Sequence, residues 1–184
     1  MKGRNEITPT NSTHVSAAQP GPARENVKRS YLLIALFVMA AASMFYFSGW
    51  SIPAAGRRFA ELFQRAEYTH GVPQHLLARM AQQESNFDPD ARSSAGALGI
   101  MQIVPRWHPD VNALDPAAAI DYAGALIRKH FERFGSWAQA LAAYNAGPTR
   151  TAREISASGV NWLAHMPAET QDYIARITAD VRVS

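Results

Sequence analysis

The sequence contains no cysteine among its 184 residues. Disulfides, thiolate metal sites and a lipid-modified N-terminal cysteine are therefore excluded. The six histidines are scattered and show no HExxH or other metal-binding spacing, so we expect neither a metal nor another cofactor. Alternating strand patterns of any length are also missing, which favours an all-α fold.

Net charge is small, and its position is informative. The formal charge is +3, and residues 1–29 account for all of it with five basic and two acidic residues. Because the rest of the chain is neutral overall, it lacks the electrostatic footprint of a nucleic-acid-binding protein. We expect no nucleic-acid partner.

The first third of the chain divides by composition. Residues 1–29 are polar and contain three prolines, which predicts a disordered tail. Residues 30–50 form an uncharged, largely apolar run of the length that a transmembrane helix needs. A cleaved signal peptide is the alternative, with small residues at 54–55, but the long polar lead favours an uncleaved anchor. We predict an anchor at 30–50, a linker at 51–56 and a folded domain at 57–184.

A carboxylate lies on the apolar side of a predicted helix. Leu76, Leu77, Met80 and Ala81 recur at helical spacing, and Glu84 is the next position on that stripe. Burial and the negative end of the helix dipole both oppose ionisation, so they should raise the pKa of Glu84. The pattern fits a general acid, although a helix-end side chain that reaches solvent would look the same.

The segment after this helix is irregular. Asp88-Pro89 should end the helix, and Gly96 and Gly99 allow a backbone or ligand to approach closely. Gln102 stands alone in an apolar run, so it either closes an internal hydrogen-bond network or faces a polar ligand.

Helix signals continue to the C-terminus. A first helix is predicted from about residue 57 to 71, and a later one begins at Asp115-Pro116 and ends at Gly135. Ser136 and Gln139 have capping-box spacing for the next helix, and two more are predicted at 149–157 and 167–181. Trp107 is either a core anchor or a platform for a sugar ring.

Three motifs together resemble one protein family. Glu84-Ser85, the run GALGIMQ at 96–102 and the run AYNAG at 143–147 are similar in order and spacing to the catalytic domain of soluble lytic transglycosylases, relatives of goose-type lysozyme. The resemblance extends from about residue 57 to the C-terminus. It implies a lysozyme-like helical domain that acts on peptidoglycan.

The resemblance also implies roles for individual residues. Glu84 would be the single acid and base that cleaves the MurNAc–GlcNAc bond, with formation of 1,6-anhydro-MurNAc. Tyr144 would bond to or orient this carboxyl, unless it is a core tyrosine. Substrate-binding residues would be Ser93, Gln102, Tyr144, Asn145, Glu169 and Tyr173, and cleft-shaping residues Ser85, Gly96, Gly99 and Met101.

Two positions depart from the family pattern. Val104 stands where methionine is frequent, and the region around Leu126 offers only apolar side chains where a tyrosine is frequent. Either change would narrow the substrate range or weaken activity. Neither removes the acid.

The predicted protein is a membrane-anchored peptidoglycan lytic transglycosylase of the bacterial inner membrane. It would cross the membrane once, with the catalytic domain facing the periplasm or cell wall. Its partners would be peptidoglycan glycan strands, the membrane, and a secretion, conjugation or division machinery. The alternatives are a hydrolytic lysozyme on the same fold and a non-catalytic glycan-binding scaffold.

Overall fold

The computed structural model describes residues 50–179 and 181. Within this part of the chain there are helices and isolated bridges at Leu98, and no extended strand. The predicted all-α fold is therefore confirmed for the described residues. The α-helices are α1 (Ala60–His70), α2 (Leu76–Ser85), α3 (Pro116–Phe134), α4 (Trp137–Ala146), α5 (Pro148–Ser158) and α6 (Ala168–Thr178), and the 3-10 helices are Ala54–Phe59 and Gly159–His165.

The predicted N-terminal tail lies outside the described residues, as does all of the predicted membrane span except Trp50. Among the residues that the structure does describe, no helix is both long enough and apolar enough to cross a membrane. The anchor at 30–50 thus stays a prediction.

The segment predicted as a linker, residues 51–56, takes part in the folded domain. Trp50 and Ile52 pack against the hydrophobic core, and a 3-10 helix begins at Ala54. Gly56 is buried so closely that a Cβ atom there would lie 2.6 Å from the Phe87 ring. The glycine that suggested a linker therefore allows this segment to pack closely against Phe87.

Helix α2 is capped by a side chain from α1. The buried carboxylate of Glu67 accepts hydrogen bonds from the backbone N–H groups of His75 (2.9 Å) and Leu77 (3.0 Å). Burial raises the pKa of Glu67 to about 7, against the effect of these hydrogen bonds. The N-terminus of α2 is therefore capped by a side chain of α1, and no side chain of α2 is needed for this cap.

The apolar stripe of α2 lies in the centre of the core. Leu76, Leu77 and Met80 are fully buried, and α2 packs against α1, α3 and α6. Burying a side chain of this size stabilises a fold by about 1.5–3 kcal/mol. Because Glu84 continues the same stripe, the packing that fixes α2 also directs this carboxylate inward.

The two central helices begin differently from one another. Asp115 caps α3 as predicted, since its carboxylate accepts from the N–H of Ala117 at 3.0 Å and Pro116 follows it. The predicted capping box of α4 is wrong, because Ser136 makes no side-chain cap hydrogen bond. Instead Trp137 is buried and stacks on Phe131 of α3, with ring centroids 4.2 Å apart.

Candidate active site

Glu84 lies in the last turn of α2 and lines a cavity of about 730 Å³, which we call the Glu84 cavity. Its Oε1 atom accepts a hydrogen bond of 2.8 Å from the hydroxyl of Tyr173 on α6. Glu169 and Asp172 of the same helix line this cavity too. The cavity volume lies within the range of roughly 300–1,000 Å³ that is typical of ligand sites.

The electrostatic surroundings of Glu84 raise its pKa towards neutral pH. Burial raises its pKa to about 7, and the negative charge of Glu169 acts in the same direction. The hydrogen bond from Tyr173 opposes both effects, because it stabilises the carboxylate. The raised pKa expected from the sequence agrees with this environment. A carboxyl group that titrates near pH 7 can serve as both acid and base.

Helix α2 ends earlier than Asp88-Pro89 predicted. Asn86 and Phe87 both adopt left-handed backbone conformations, with φ of 52° and 66°. Phe87 is buried against Phe63 of α1, with ring centroids 6.2 Å apart. The chain therefore turns sharply just after Glu84, and the buried Phe87 ring holds the turn in place.

The loop that follows the turn uses its two glycines differently. Gly99 is buried with φ of 73°, and a Cβ atom there would lie 1.9 Å from the carbonyl oxygen of Ala113. Gly96 has φ of 84° but no atom near its Cβ position within 4 Å. Ser93 lines the Glu84 cavity, and its hydroxyl accepts a hydrogen bond from the N–H of Ala97 at 2.9 Å. Gly99 thus allows the loop to pack against the backbone of Ala113. Gly96 only provides the positive φ that the turn requires.

Two hydroxyl groups attach the 100–102 segment to neighbouring helices. Ser85 donates to the carbonyl of Ile100 at 2.9 Å, and Tyr144 of α4 donates to the carbonyl of Met101 at 2.9 Å. The amide of Gln102 donates to the carbonyl of Gly99 at 2.9 Å, and Gln102 also lines the cavity. Gln102 therefore combines the two alternatives that the sequence left open, an internal hydrogen bond and a cavity position.

The predicted hydrogen bond from Tyr144 to Glu84 is wrong, because each of these residues has another partner. The Tyr144 hydroxyl donates to the Met101 carbonyl, and Tyr173 is the tyrosine that bonds to Glu84. The charge of Glu84 still raises the pKa of the buried Tyr144 hydroxyl, so the two groups are close. Tyr144 supports the wall of the cavity, and Tyr173 holds the carboxyl.

Asn145 connects α4 to α6. Its side-chain oxygen accepts a hydrogen bond of 2.7 Å from the hydroxyl of Thr170, and Thr170 is buried. Thr170 lies between Glu169 and Tyr173 on the helix that faces Glu84. Asn145 therefore positions the helix opposite the carboxyl.

A second cavity of about 750 Å³ adjoins the first, and we call it the Trp107 cavity. Trp107 is 67% exposed, so the core-anchor interpretation of this residue is wrong. Leu126 lines this cavity with an apolar side chain, as the sequence indicated. The two cavities share four lining residues, so they form adjacent parts of one cleft: Gln102, Val104, Tyr144 and Asn145.

Tyr122 and His108 lie close to the cleft and were not predicted as site residues. Tyr122 lies one helical turn before Leu126, and its hydroxyl is 2.8 Å from Nδ1 of His108. It is near enough to Tyr144 to raise the pKa of that hydroxyl. The expectation that this part of α3 offers only apolar side chains is therefore wrong. The i, i+4 spacing to Leu126 was the available signal.

Comparison with known proteins gives a consistent result. A family model described as the transglycosylase SLT domain matches residues 61–161. The "Transglycosylase" of Enterobacteria phage PRD1 is 28% identical over 126 residues, which are 67% of this chain and 43% of the phage protein. "Membrane-bound lytic murein transglycosylase F 2" of Alkalilimnicola ehrlichii is 33% identical over 100 residues, or 49% of this chain and 22% of that protein.

A solved structure matches as well. The 70 kDa soluble lytic transglycosylase of Escherichia coli superposes with a TM-score of 0.58 at 28% identity, covering 66% of this chain and 23% of that chain. This chain thus spans less than half the length of each of these relatives. Since residues 61–161 are more than half of the 184-residue chain, the protein belongs to the transglycosylase SLT domain family.

Proposed function

We propose that the protein is a peptidoglycan lytic transglycosylase that cleaves the bond between MurNAc and GlcNAc. The observation that carries this proposal is Glu84, a carboxyl with a pKa of about 7 that lines one of two adjacent cavities. Family membership and the names of the relatives support the same activity. The test is mass spectrometry of the muropeptides that the purified full chain releases from peptidoglycan.

The proposed reaction needs one protein group that first donates and then accepts a proton. Protonated Glu84 gives its proton to the glycosidic oxygen as the bond from MurNAc C1 to that oxygen breaks. The carboxylate then takes the proton of the muramic C6 hydroxyl while its oxygen bonds to C1. The products are a free GlcNAc end and a 1,6-anhydro-MurNAc end, and no water is consumed.

The remaining cleft residues are proposed to bind or shape the site. Ser93, Gln102 and Glu169 would contact sugar hydroxyls from three sides of the Glu84 cavity, which they line. Tyr173 would orient the acid, and Asn145 would hold the helix that carries Tyr173. Ser85, Gly99 and Met101 would fix the floor of the cleft.

Replacing Tyr173 with Phe should change the pH dependence of cleavage. The Tyr173 hydroxyl lowers the pKa of Glu84, so its loss should raise that pKa further. Activity that requires the protonated acid should then persist to higher pH than in the wild type. A pH–rate profile measures this shift.

Tyr68→Phe is the matched control, because Tyr68 is 90% exposed and lines neither cavity. Its profile should match that of the wild type. A Tyr173→Phe profile that coincides with both would show that Tyr173 does not act on the acid.

A hydrolytic lysozyme is the second candidate, and Glu169 and Asp172 favour it, because they place further carboxylates on the Glu84 cavity. Hydrolytic glycosidases normally use two carboxylates. The products separate the candidates, since hydrolysis adds one water per cleaved bond. The non-catalytic scaffold would bind glycan strands and release no products.

The membrane anchor at residues 30–50 is also a proposal, supported by the name of the membrane-bound relative. If it holds, the domain must lie outside the cytoplasm, where peptidoglycan is found. We expect an export-dependent reporter fused after Ser184 to be active in bacterial cells. Activity only of a reporter that works in the cytoplasm would exclude this topology.

A further inference from the structure

The two parts of the cleft differ in charge. The Glu84 cavity is lined by three carboxylates and one arginine: Glu84, Glu169, Asp172 and Arg176. The Trp107 cavity is lined by two cations, Lys129 and Arg133, by two histidines whose pKa values are lowered by burial, His108 and His130, and by no acidic residue of the described chain. Binding of a neutral glycan strand alone would not require cations in the Trp107 cavity.

The two cations of the Trp107 cavity lie on one face of α3. Lys129 and Arg133 are separated by four residues on α3, so they lie on the same side of that helix. His130 of the same helix is buried, and its pKa is lowered first by burial and then by Arg133, Lys129 and His108. Lys129 and Arg133 are therefore close enough to His130 to act on one small region of the cavity.

Two carboxylates of α3 already pair with other residues. Glu132 pairs with Arg128 at 3.0 Å, and Asp121 pairs with His70 at 2.9 Å. Within residues 50–179, Lys129 and Arg133 form no ion pair. Both side chains are exposed at the rim, where a ligand can reach them.

We propose that the Trp107 cavity binds the stem peptide of the strand and that Lys129 and Arg133 hold one of its carboxylates. This inference rests on the proposed function, since it names the part of the substrate that this half of the cleft recognises. Stem peptides carry carboxylates, whereas the sugar hydroxyls are neutral. The exposed Trp107 and the apolar Leu126 give the uncharged part of the peptide or sugar a surface to contact.

A pair of substrates that differ only in charge tests the proposal. One is a muropeptide tetrasaccharide with free peptide carboxylates, and the other is the same compound with those carboxylates converted to amides. We expect the full chain to cleave the free form with a kcat/KM about tenfold higher, as for one charge-assisted hydrogen bond. Added salt should reduce the preference, because the contact lies at the surface.

Lys129→Gln and Arg133→Gln should each reduce this preference for the free carboxylate. Arg65→Gln is the matched control, since Arg65 is exposed on α1 and lines neither cavity. It should keep the wild-type preference. Far-UV circular dichroism confirms that the three variants are folded.

The outcomes separate this inference from the proposed function. Equal cleavage of both substrates by the wild type, or a preference that survives both cleft variants, overturns the peptide-binding role and leaves the activity intact. If the wild type cleaves neither compound, the proposed function fails. In that case, the affinities of the two uncleaved compounds for the wild type and the variants are measured by calorimetry. Tighter binding of the free carboxylate form by the wild type, and loss of this preference in the variants, would support the peptide-binding role.

Discussion

Glu84→Gln is expected to abolish cleavage while leaving the free energy of unfolding near pH 7 unchanged or higher. The amide keeps the shape of the side chain and an acceptor for the Tyr173 hydroxyl, but it cannot donate or take the proton. Loss of a general acid typically lowers a rate by about 10²–10⁴-fold. Release of products from peptidoglycan should therefore fall to background.

The stability part of this prediction follows from the direction of the pKa shift. The folded pKa of Glu84 is raised to about 7, above the value of the unfolded chain. Ionisation therefore destabilises the fold progressively as pH rises above the unfolded pKa, and the full cost is reached above the folded pKa. Gln removes this cost near pH 7, a gain of at most about 3 kcal/mol, because the folded pKa lies about 2.5 units above the ordinary value of 4.5 and one unit corresponds to about 1.4 kcal/mol.

Glu67→Gln is the matched control, because Glu67 has a similarly raised pKa but a structural role. Both of its oxygens accept backbone N–H groups at the start of α2, and an amide would place an NH2 group against one of these donors. Leaving a buried donor unsatisfied costs about 1–3 kcal/mol. Because Glu67→Gln also removes an ionisation cost near pH 7, we expect it to be less stable than Glu84→Gln by about the cost of that unsatisfied donor.

Thermal melts near pH 7 and a cleavage assay distinguish the two carboxyls. If Glu84→Gln is strongly destabilised and still cleaves peptidoglycan, then Glu84 is a structural residue and the catalytic interpretation is wrong.

Gly99→Ala is expected to be the most damaging small substitution in the cleft. The added methyl group would lie 1.9 Å from the Ala113 carbonyl oxygen, a backbone atom, at a residue whose φ is 73°. Overpacking costs about 1–3 kcal/mol, and a left-handed conformation adds about 1–2 kcal/mol for a residue other than glycine. The loop that carries Gln102 should shift, and both stability and activity should fall.

Gly96→Ala separates these two costs. Gly96 has a similar positive φ of 84° but open space at its Cβ position, so only the conformational cost remains. Urea unfolding should show a loss of about 3 kcal/mol or more for Gly99→Ala and about 1–2 kcal/mol for Gly96→Ala. Equal losses in the two variants would mean that the approach to Ala113 does not constrain the loop.

Features set by neighbouring residues could be predicted from the sequence. The stripe of α2 gave the inward position of Glu84, and Asp115 with Gly135 gave both ends of α3. Partial burial of Glu84 could be inferred for the same reason, because helical periodicity alone places it next to Met80. These predictions depend on local spacing and backbone chemistry.

Features set by packing between distant segments could not be predicted in the same way. The choice of Tyr173 as the partner of Glu84 depends on how α6 packs against α2, across 89 residues of chain. The cap that Glu67 provides crosses from one helix to another. The early end of α2 depends on the burial of Phe87, which allows a left-handed turn that Asp88-Pro89 did not indicate.

Mass spectrometry of the products that the full chain releases from peptidoglycan tests the central claim most directly. We predict fragments that end in 1,6-anhydro-MurNAc and carry no added water, and no such fragments from Glu84→Gln. Fragments that each carry one added water would contradict the lytic mechanism, and release by the Gln variant would contradict the role of Glu84.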